Sequence, residues 1–187
     1  MIKILNGQMQ GSPPDNMSYM AGRGLIGRIV MPVTRYMRYA NVKKYIRPAG
    51  RLLDIGCGDG YFLRKINCPK KYGIDKLMGE DITDKLDFPD NYFDYVTMLA
   101  VIEHAKKPDD LIHEIHRILK PEGRLIFTTP RKSAENLIRL YAKDIESEHE
   151  TYFDYERVEK LSNGLFRIYG FHTFIFGMNQ VFALEKI

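Results

Sequence analysis

The apolar and polar positions change period along the chain, and each change marks an element. From Leu25 the apolar residues Leu25, Ile29, Val33, Tyr36, Met37 and Ala40 fall at helical spacing. Pro32 interrupts them, which predicts two helices or one kinked helix, ending near Ile46 before Pro48-Ala49-Gly50. Arg51-Leu52-Leu53-Asp54-Ile55 then reads as a short buried strand, Tyr61 to Ile66 as a helix, and Lys71-Tyr72-Gly73-Ile74-Asp75 as a second strand. Tyr95-Val96-Thr97-Met98-Leu99 is a third strand and Arg124-Leu125-Ile126-Phe127-Thr128-Thr129 a fourth. Between these two a helix opens near Pro108-Asp109-Asp110, where proline and acids suit the unpaired N–H groups and positive end of a first turn. Its apolar stripe is Leu111, Ile112, Ile115, Ile118 and Leu119. Helical stretches are predicted over 134–143 and 155–161, followed by a hairpin of 171–176 and 179–185 turning at Gly177-Met178. Alternating strands and helices imply right-handed crossovers. The expected fold is therefore α/β: a doubly wound, mostly parallel sheet with an antiparallel C-terminal hairpin.

Charge divides the chain. The net charge is +4, yet residues 1–50 hold eight Lys or Arg against the single acid Asp15, leaving the remainder at −3. Residues 6–16 are rich in Gly, Gln, Ser and Pro and read as a flexible leading segment. We therefore expect a basic helical arm over 1–47 and a body over 48–187. The arm suggests contact with an anionic substrate or a membrane surface, or else simply a solvated helix face. No apolar run is long enough to span a bilayer. Cys57 and Cys68 are the only cysteines, which does not make a disulfide scaffold. The first residues carry no long apolar core, so a cytoplasmic protein is expected.

The most informative stretch is Leu53-Asp54-Ile55-Gly56-Cys57-Gly58-Asp59-Gly60-Tyr61. A strand that ends in spaced glycines and feeds a helix brings bare main chain beside a ligand. The dinucleotide fingerprint wants a third small residue at position 61, where this chain has Tyr. Asp54, just before the loop, would repel a pyrophosphate but suit a cationic head. Asp75 ends the next strand, where a carboxylate can accept from both hydroxyls of a ribose. Nicotinamide enzymes place an acid at a similar distance, so Asp75 alone leaves an oxidoreductase open. The Gly-Lys-Ser/Thr phosphate loop is absent, which disfavours a nucleoside triphosphatase.

Taken with Gly73-Ile74-Asp75, Gly79-Glu80-Asp81-Ile82, Phe88-Pro89-Asp90, Ile102-Glu103-His104 and Glu114-Ile115-His116-Arg117-Ile118-Leu119-Lys120-Pro121-Glu122-Gly123, the loop resembles the class I, Rossmann-like S-adenosylmethionine-dependent methyltransferases, of the small, insertion-free type acting on small molecules. The resemblance runs from about Arg51 to Pro130. It implies that Asp54, Cys57 and Gly60, with the backbone of Gly56 and Gly58, surround the methionine part of S-adenosyl-L-methionine. It further implies that Asp75 takes the ribose hydroxyls, that Asp81 and Ile82 meet the adenine, and that Leu99 offers its carbonyl to the ammonium. Only five residues separate Asp75 from Asp81, so the helix and strand that relatives carry there are truncated, and Leu77 or Met78 is expected to cover the adenine instead, with Lys76 also at the cofactor. The product would be S-adenosyl-L-homocysteine.

A methyl sulfonium is already activated, so a base is needed only where the acceptor must lose a proton. His104 is the first candidate, with Glu103 to orient it, and His149 the second. His113 and His116 fall on the outer face of their helix and are read as surface residues, with no metal expected. The N-terminal helices would cover a small-molecule acceptor. No nucleic-acid-binding module is recognisable, so nucleic acid is not an expected partner. A non-catalytic member of the same fold remains an alternative, and an NAD-dependent oxidoreductase a more distant one.

Overall fold

The computed structural model describes residues 2–5, 8–10, 24–75, 85–132 and 152–187 of the 187, and side chains from residue 30 onward. The elements are β1 (Ile2–Leu5), β2 (Gln8–Gln10), α1 (Gly24–Val42), β3 (Arg51–Ile55), α2 (Tyr61–Lys65), β4 (Lys70–Ile74), β5 (Phe93–Leu99), α3 (Pro108–Ile118), β6 (Leu119–Pro130), α4 (Tyr155–Ser162), β7 (Phe166–Phe174) and β8 (Asn179–Lys186). They build one eight-stranded sheet in the order β2-β1-β4-β3-β5-β6-β8-β7. The central strands β4, β3, β5 and β6 are parallel, and the hairpin of β7 and β8 joins β6 antiparallel, as the alternation predicts.

Alternating side chains send the strands' apolar residues to both faces. On one face Leu53, Ile55, Val96, Met98, Leu125 and Phe127 pack under α3 and α4 through Leu111, Ile112, Ile115, Ile118 and Val158. On the other, Leu52, Tyr95, Ile126, Val181 and Ala183 pack under α1 and α2 through Val42, Phe62 and Leu63. Helices on both faces, with β4 to one side of β3 and β5 to the other, make the carboxyl ends of β3 and β5 the topological switch point where such sheets bind ligands.

Two expectations change. First, residues 2–5 are not part of a helical arm, and residues 8–10 are not part of a flexible lead: they form β1 and β2, which pair with each other, and β1 pairs antiparallel with β4, Ile2 opposite Gly73 and Lys3 opposite Tyr72. This fills the sheet edge beside β4, and no strand lies between β4 and β5 among the described residues. Of the two readings at Pro32, the structure has the single helix, and α1 runs through it. Second, β6 begins at Leu119, with Phe93 opposite Leu119 and a register shift before Tyr95 meets Arg124. The predicted helix over 134–143 and the shortened segment 76–84 lie outside the described residues.

Helix α1 is docked rather than free. Arg35 pairs with Asp59 of the glycine loop, and its guanidinium lies 4.3 Å from the centre of the Tyr61 ring. Tyr39 meets Phe62 edge to face, and its hydroxyl donates to the Lys65 carbonyl at 3.3 Å. At its end, His172 of β7 bridges Asn41 Oδ1 (2.8 Å from Nε2) and the Tyr45 hydroxyl (3.1 Å from Nδ1).

Candidate functional site

The chain leaves β3 at Ile55 and turns through Gly56, Gly58 and Gly60, whose φ values of +72°, +52° and +76° are left-handed. The N–H groups of Gly56 and Cys57 both donate to the Ile74 carbonyl, at 2.8 and 3.1 Å, and tie the loop to the end of β4. A Cβ at Gly56 would stand 2.3 Å from Val101 Cγ2, whereas at Gly58 no described residue lies within 4 Å. Among the described residues, bare main chain at Gly58 is therefore left uncovered. The close approach of α2 to the sheet is made elsewhere: a Cβ at Gly73 would sit 2.6 Å from Leu63 Cδ1 and 2.8 Å from Cys57 Sγ. Gly73 does the packing that the third glycine does in the dinucleotide fingerprint, and this leaves Tyr61 free to be large.

Two carboxylates flank the loop. Gly58 N–H donates to Asp75 Oδ2 at 2.8 Å. Asp54 is 2% exposed and accepts from the Thr97 hydroxyl at 2.7 Å. Burial pushes its pKa up to about 7; the Thr97 bond works against this and the nearby Asp75 charge adds to it. Burial and the same two carboxylates push the Cys57 thiol up, so it is an inert filler of the turn. The residues fit an adenosyl ligand carrying an ammonium and a sulfonium: left-handed main chain that no described residue covers, one carboxylate that a cation would relieve of its burial cost, and a second at the next strand end.

Leu99 closes β5 opposite Thr128, and Ala100 follows at φ +60°, its N–H bonded to the Thr128 carbonyl at 2.9 Å. The chain then makes a one-turn 3-10 helix, Ile102–His104. Glu103 points inward and is 1% exposed, while His104 is exposed. Neither carboxyl oxygen of Glu103 has a hydrogen-bond partner among the described residues, so Glu103 does not orient His104 through a hydrogen bond as its sequence position suggests. The tight turn sends successive side chains to opposite sides. Burial pushes the Glu103 pKa up, against the Arg38 and His104 charges and the neighbouring Thr129 hydroxyl, which pull it down. Thr97, Val101 and Thr129 escaped the sequence reading; for Thr97, its position opposite Asp54 in adjacent parallel strands was the available signal.

Of the other expected site residues, Lys76, Leu77, Met78, Asp81, Ile82 and His149 lie outside the described residues. His113 is exposed, with Nδ1 2.9 Å from the Asp109 carbonyl oxygen, and His116 rests edge-on against Phe166. Among the described basic residues of the first segment, Arg35 and Arg38 face this chain's own Asp59 and Glu103, and Lys43, Lys44 and Arg47 are exposed. No described helix is long and apolar enough to cross a membrane.

A parallel sheet with its switch point at β3 and β5, a left-handed glycine loop and acids closing the first two parallel strands define the class I, Rossmann-like S-adenosylmethionine-dependent methyltransferase fold. A family model described as a methyltransferase domain matches residues 32–171, and the chain belongs to that family. It is 31% identical over 119 residues to the ubiquinone/menaquinone biosynthesis C-methyltransferase UbiE of Pseudomonas aeruginosa, covering 50% of this chain and 46% of that protein. The chain thus spans about half the length of the curated relatives it matches. A SAM-dependent methyltransferase of Thermotoga maritima superposes with a TM-score of 0.65 at 19% identity, covering 86% of this chain and 97% of the other. The Haemonchus contortus phosphoethanolamine N-methyltransferase 2, in complex with S-adenosyl-L-methionine, gives a TM-score of 0.61 at 18% identity, covering 81% and 52%.

Proposed function

We propose that the chain transfers the methyl group of S-adenosyl-L-methionine to an oxygen, nitrogen or carbon nucleophile of a small molecule, releasing S-adenosyl-L-homocysteine. The observation that carries this reading is the left-handed glycine loop, uncovered at Gly58 by any described residue and flanked by the carboxylates of Asp54 and Asp75. The likeness to a curated C-methyltransferase over half this chain supports a small-molecule acceptor. In this reading the cofactor supplies an activated methyl group, and the chain holds, aligns and shields it. Asp54, with the Leu99 carbonyl, takes the ammonium; the main chain at Gly56 and Gly58 lets the methionine part lie close; Asp75 accepts from the ribose hydroxyls. Lys76, Leu77, Asp81 and Ile82 are assigned to the adenine side. His104 or His149 takes the acceptor's proton where it has one to lose. Helix α1, docked on the loop through Arg35, covers the acceptor, and its exposed Lys43, Lys44 and Arg47 are the groups available to an anionic substrate or surface.

Calorimetric titration tests the seat. We expect micromolar binding of S-adenosyl-L-homocysteine, no binding of NAD, and loss of the former in Asp75→Ala with the fold intact by circular dichroism. Unaltered affinity in Asp75→Ala refutes the seat. Methyl transfer is then read with labelled S-adenosyl-L-methionine against metabolite and lipid fractions of the source cells. Binding without transfer to any fraction favours a non-catalytic role.

A further inference from the structure

Asp54 is an acid in the interior of the sheet, and only one of its two oxygens is provided for. It stands between Gly73 of β4 and Thr97 of β5, each directly opposite it in a parallel pair. The Thr97 side chain is buried, with its hydroxyl 2.7 Å from Asp54 Oδ1 and 3.4 Å from the Leu53 carbonyl oxygen. A hydroxyl has one hydrogen to give and lone pairs to receive, so it can serve a carboxyl in either protonation state. Asp54 Oδ2 accepts no hydrogen bond among the described residues and keeps contact with solvent. The titratable groups that bear on this carboxyl from the surrounding elements are Asp75, just past β4, and Cys57 of the glycine loop. Asp75 opposes ionisation, and the Cys57 thiol stays neutral. Among the described residues, Thr97 is the neighbour that favours the ionised acid.

We propose that Thr97 is a positioning residue for the cofactor: its hydroxyl holds the Asp54 carboxyl in one orientation and leaves Oδ2 to the ammonium of the methionine part. The assignment rests on the reading of the glycine loop as a seat for S-adenosyl-L-methionine. When Asp54 is ionised, Thr97 donates to Oδ1. When a proton sits on Oδ1, Asp54 donates to Thr97 Oγ1, and the Thr97 hydrogen turns to the Leu53 carbonyl. When the proton sits on Oδ2, Thr97 goes on donating to Oδ1. No heavy atom has to move between these states, so the carboxyl is set before its ligand arrives. An arriving ammonium then displaces the proton to solvent while the Thr97 bond stays in place. Valine at position 97 would keep the branched shape but give no hydrogen, leaving Oδ1 without a donor and the ionised acid less favoured.

Calorimetry on the full chain compares S-adenosyl-L-homocysteine, which carries the ammonium, with 5′-methylthioadenosine, which lacks it. Losing a hydrogen bond to an ionised acid makes its ionisation about tenfold harder. Thr97→Val should therefore bind S-adenosyl-L-homocysteine about tenfold more weakly at pH 6 and about twofold more weakly at pH 8, as the acid ionises in both proteins. We expect 5′-methylthioadenosine to bind the variant as it binds wild type, and Thr97→Ser to restore the lost affinity. By carbon NMR, the Asp54 carboxyl should titrate at higher pH in ligand-free Thr97→Val. In ligand-free wild type the Thr97 Cβ resonance should follow the Asp54 titration, a readout that needs no variant to fold. Equal affinity at pH 6, a deficit that does not narrow by pH 8, an equal loss for 5′-methylthioadenosine, no rescue by Thr97→Ser, or a Thr97 resonance indifferent to the Asp54 titration each overturns the proposal. A wild-type chain that binds neither compound refutes the cofactor seat, while the carboxyl titration of the ligand-free proteins still decides whether Thr97 holds Asp54.

Discussion

Asp54 is the group whose replacement gives the sharpest physical result. Its carboxyl is buried, and its pKa stands at about 7 against an ordinary 3.8. An acid whose folded pKa is raised keeps its proton in the native state while the unfolded chain has already lost it, so stability falls as pH rises across that window and levels off above 7. The displacement corresponds to a penalty on the order of 4 kcal/mol above pH 7 and less than half of that at pH 5. Asp54→Asn removes the titration and keeps an oxygen to accept from Thr97, so it should raise stability at pH 8 and do so less at pH 5. For a chain of this size the gain at pH 8 is on the order of 10 °C in Tm. Thermal and urea unfolding of both proteins at several pH values measures it. The same variant should lose affinity for S-adenosyl-L-homocysteine, because the ammonium loses its counter-charge. In the wild type, ligand binding should release a proton near pH 6.5, read by calorimetry in buffers of different ionisation enthalpy. A variant less stable than wild type at pH 8, a stability difference that does not change with pH, or proton uptake on binding would refute the reasoning.

Three further outcomes follow from packing and hydrogen bonding. Gly73→Ala forces a Cβ against Leu63 and Cys57 and should cost about 1–3 kcal/mol in urea unfolding, because α2 cannot retreat without opening the glycine loop. Arg117 joins Glu114, Asp90 and the carbonyls of Phe88 and Leu86, so Arg117→Ala should cost on the order of 2 kcal/mol, with protease cleavage appearing in 86–92. His172 is held below its usual pKa by burial and by the Lys44 charge, and is neutral in its bridge to Asn41 and Tyr45. Its contribution is present above about pH 6.5 and is lost as pH falls toward the folded pKa. The melting temperature of His172→Gln should therefore drop less than that of wild type between pH 7.5 and 5.5.

The parallel strands and the glycine loop were legible because burial on both faces makes β3 and β5 largely apolar, and because glycine takes the left-handed turns between β3 and α2. Asp54 and Asp75 were legible as acids placed where those strands end. β1 was not, since four residues are too few to show a period, although Ile2 and Ile4 carry strand propensity. The early start of β6 was hidden by Pro121 and Gly123, which read as a turn; the strand absorbs them by shifting register, with Glu122 at φ +61°. Glu103 and His104 looked like a pair because they are adjacent, and the 3-10 turn separates them.

The pairing of β1 with β4 also bears on the order in which the molecule assembles. Ile2 must find Gly73 across most of the first half of the chain, including α1, β3 and α2. Closing so long a loop is entropically slow, so β1, with β2 beyond it, zips on after the parallel core has formed. By the same token it is a candidate to peel away first under mild denaturant, baring the outer edge of the strand to which the glycine loop is tied.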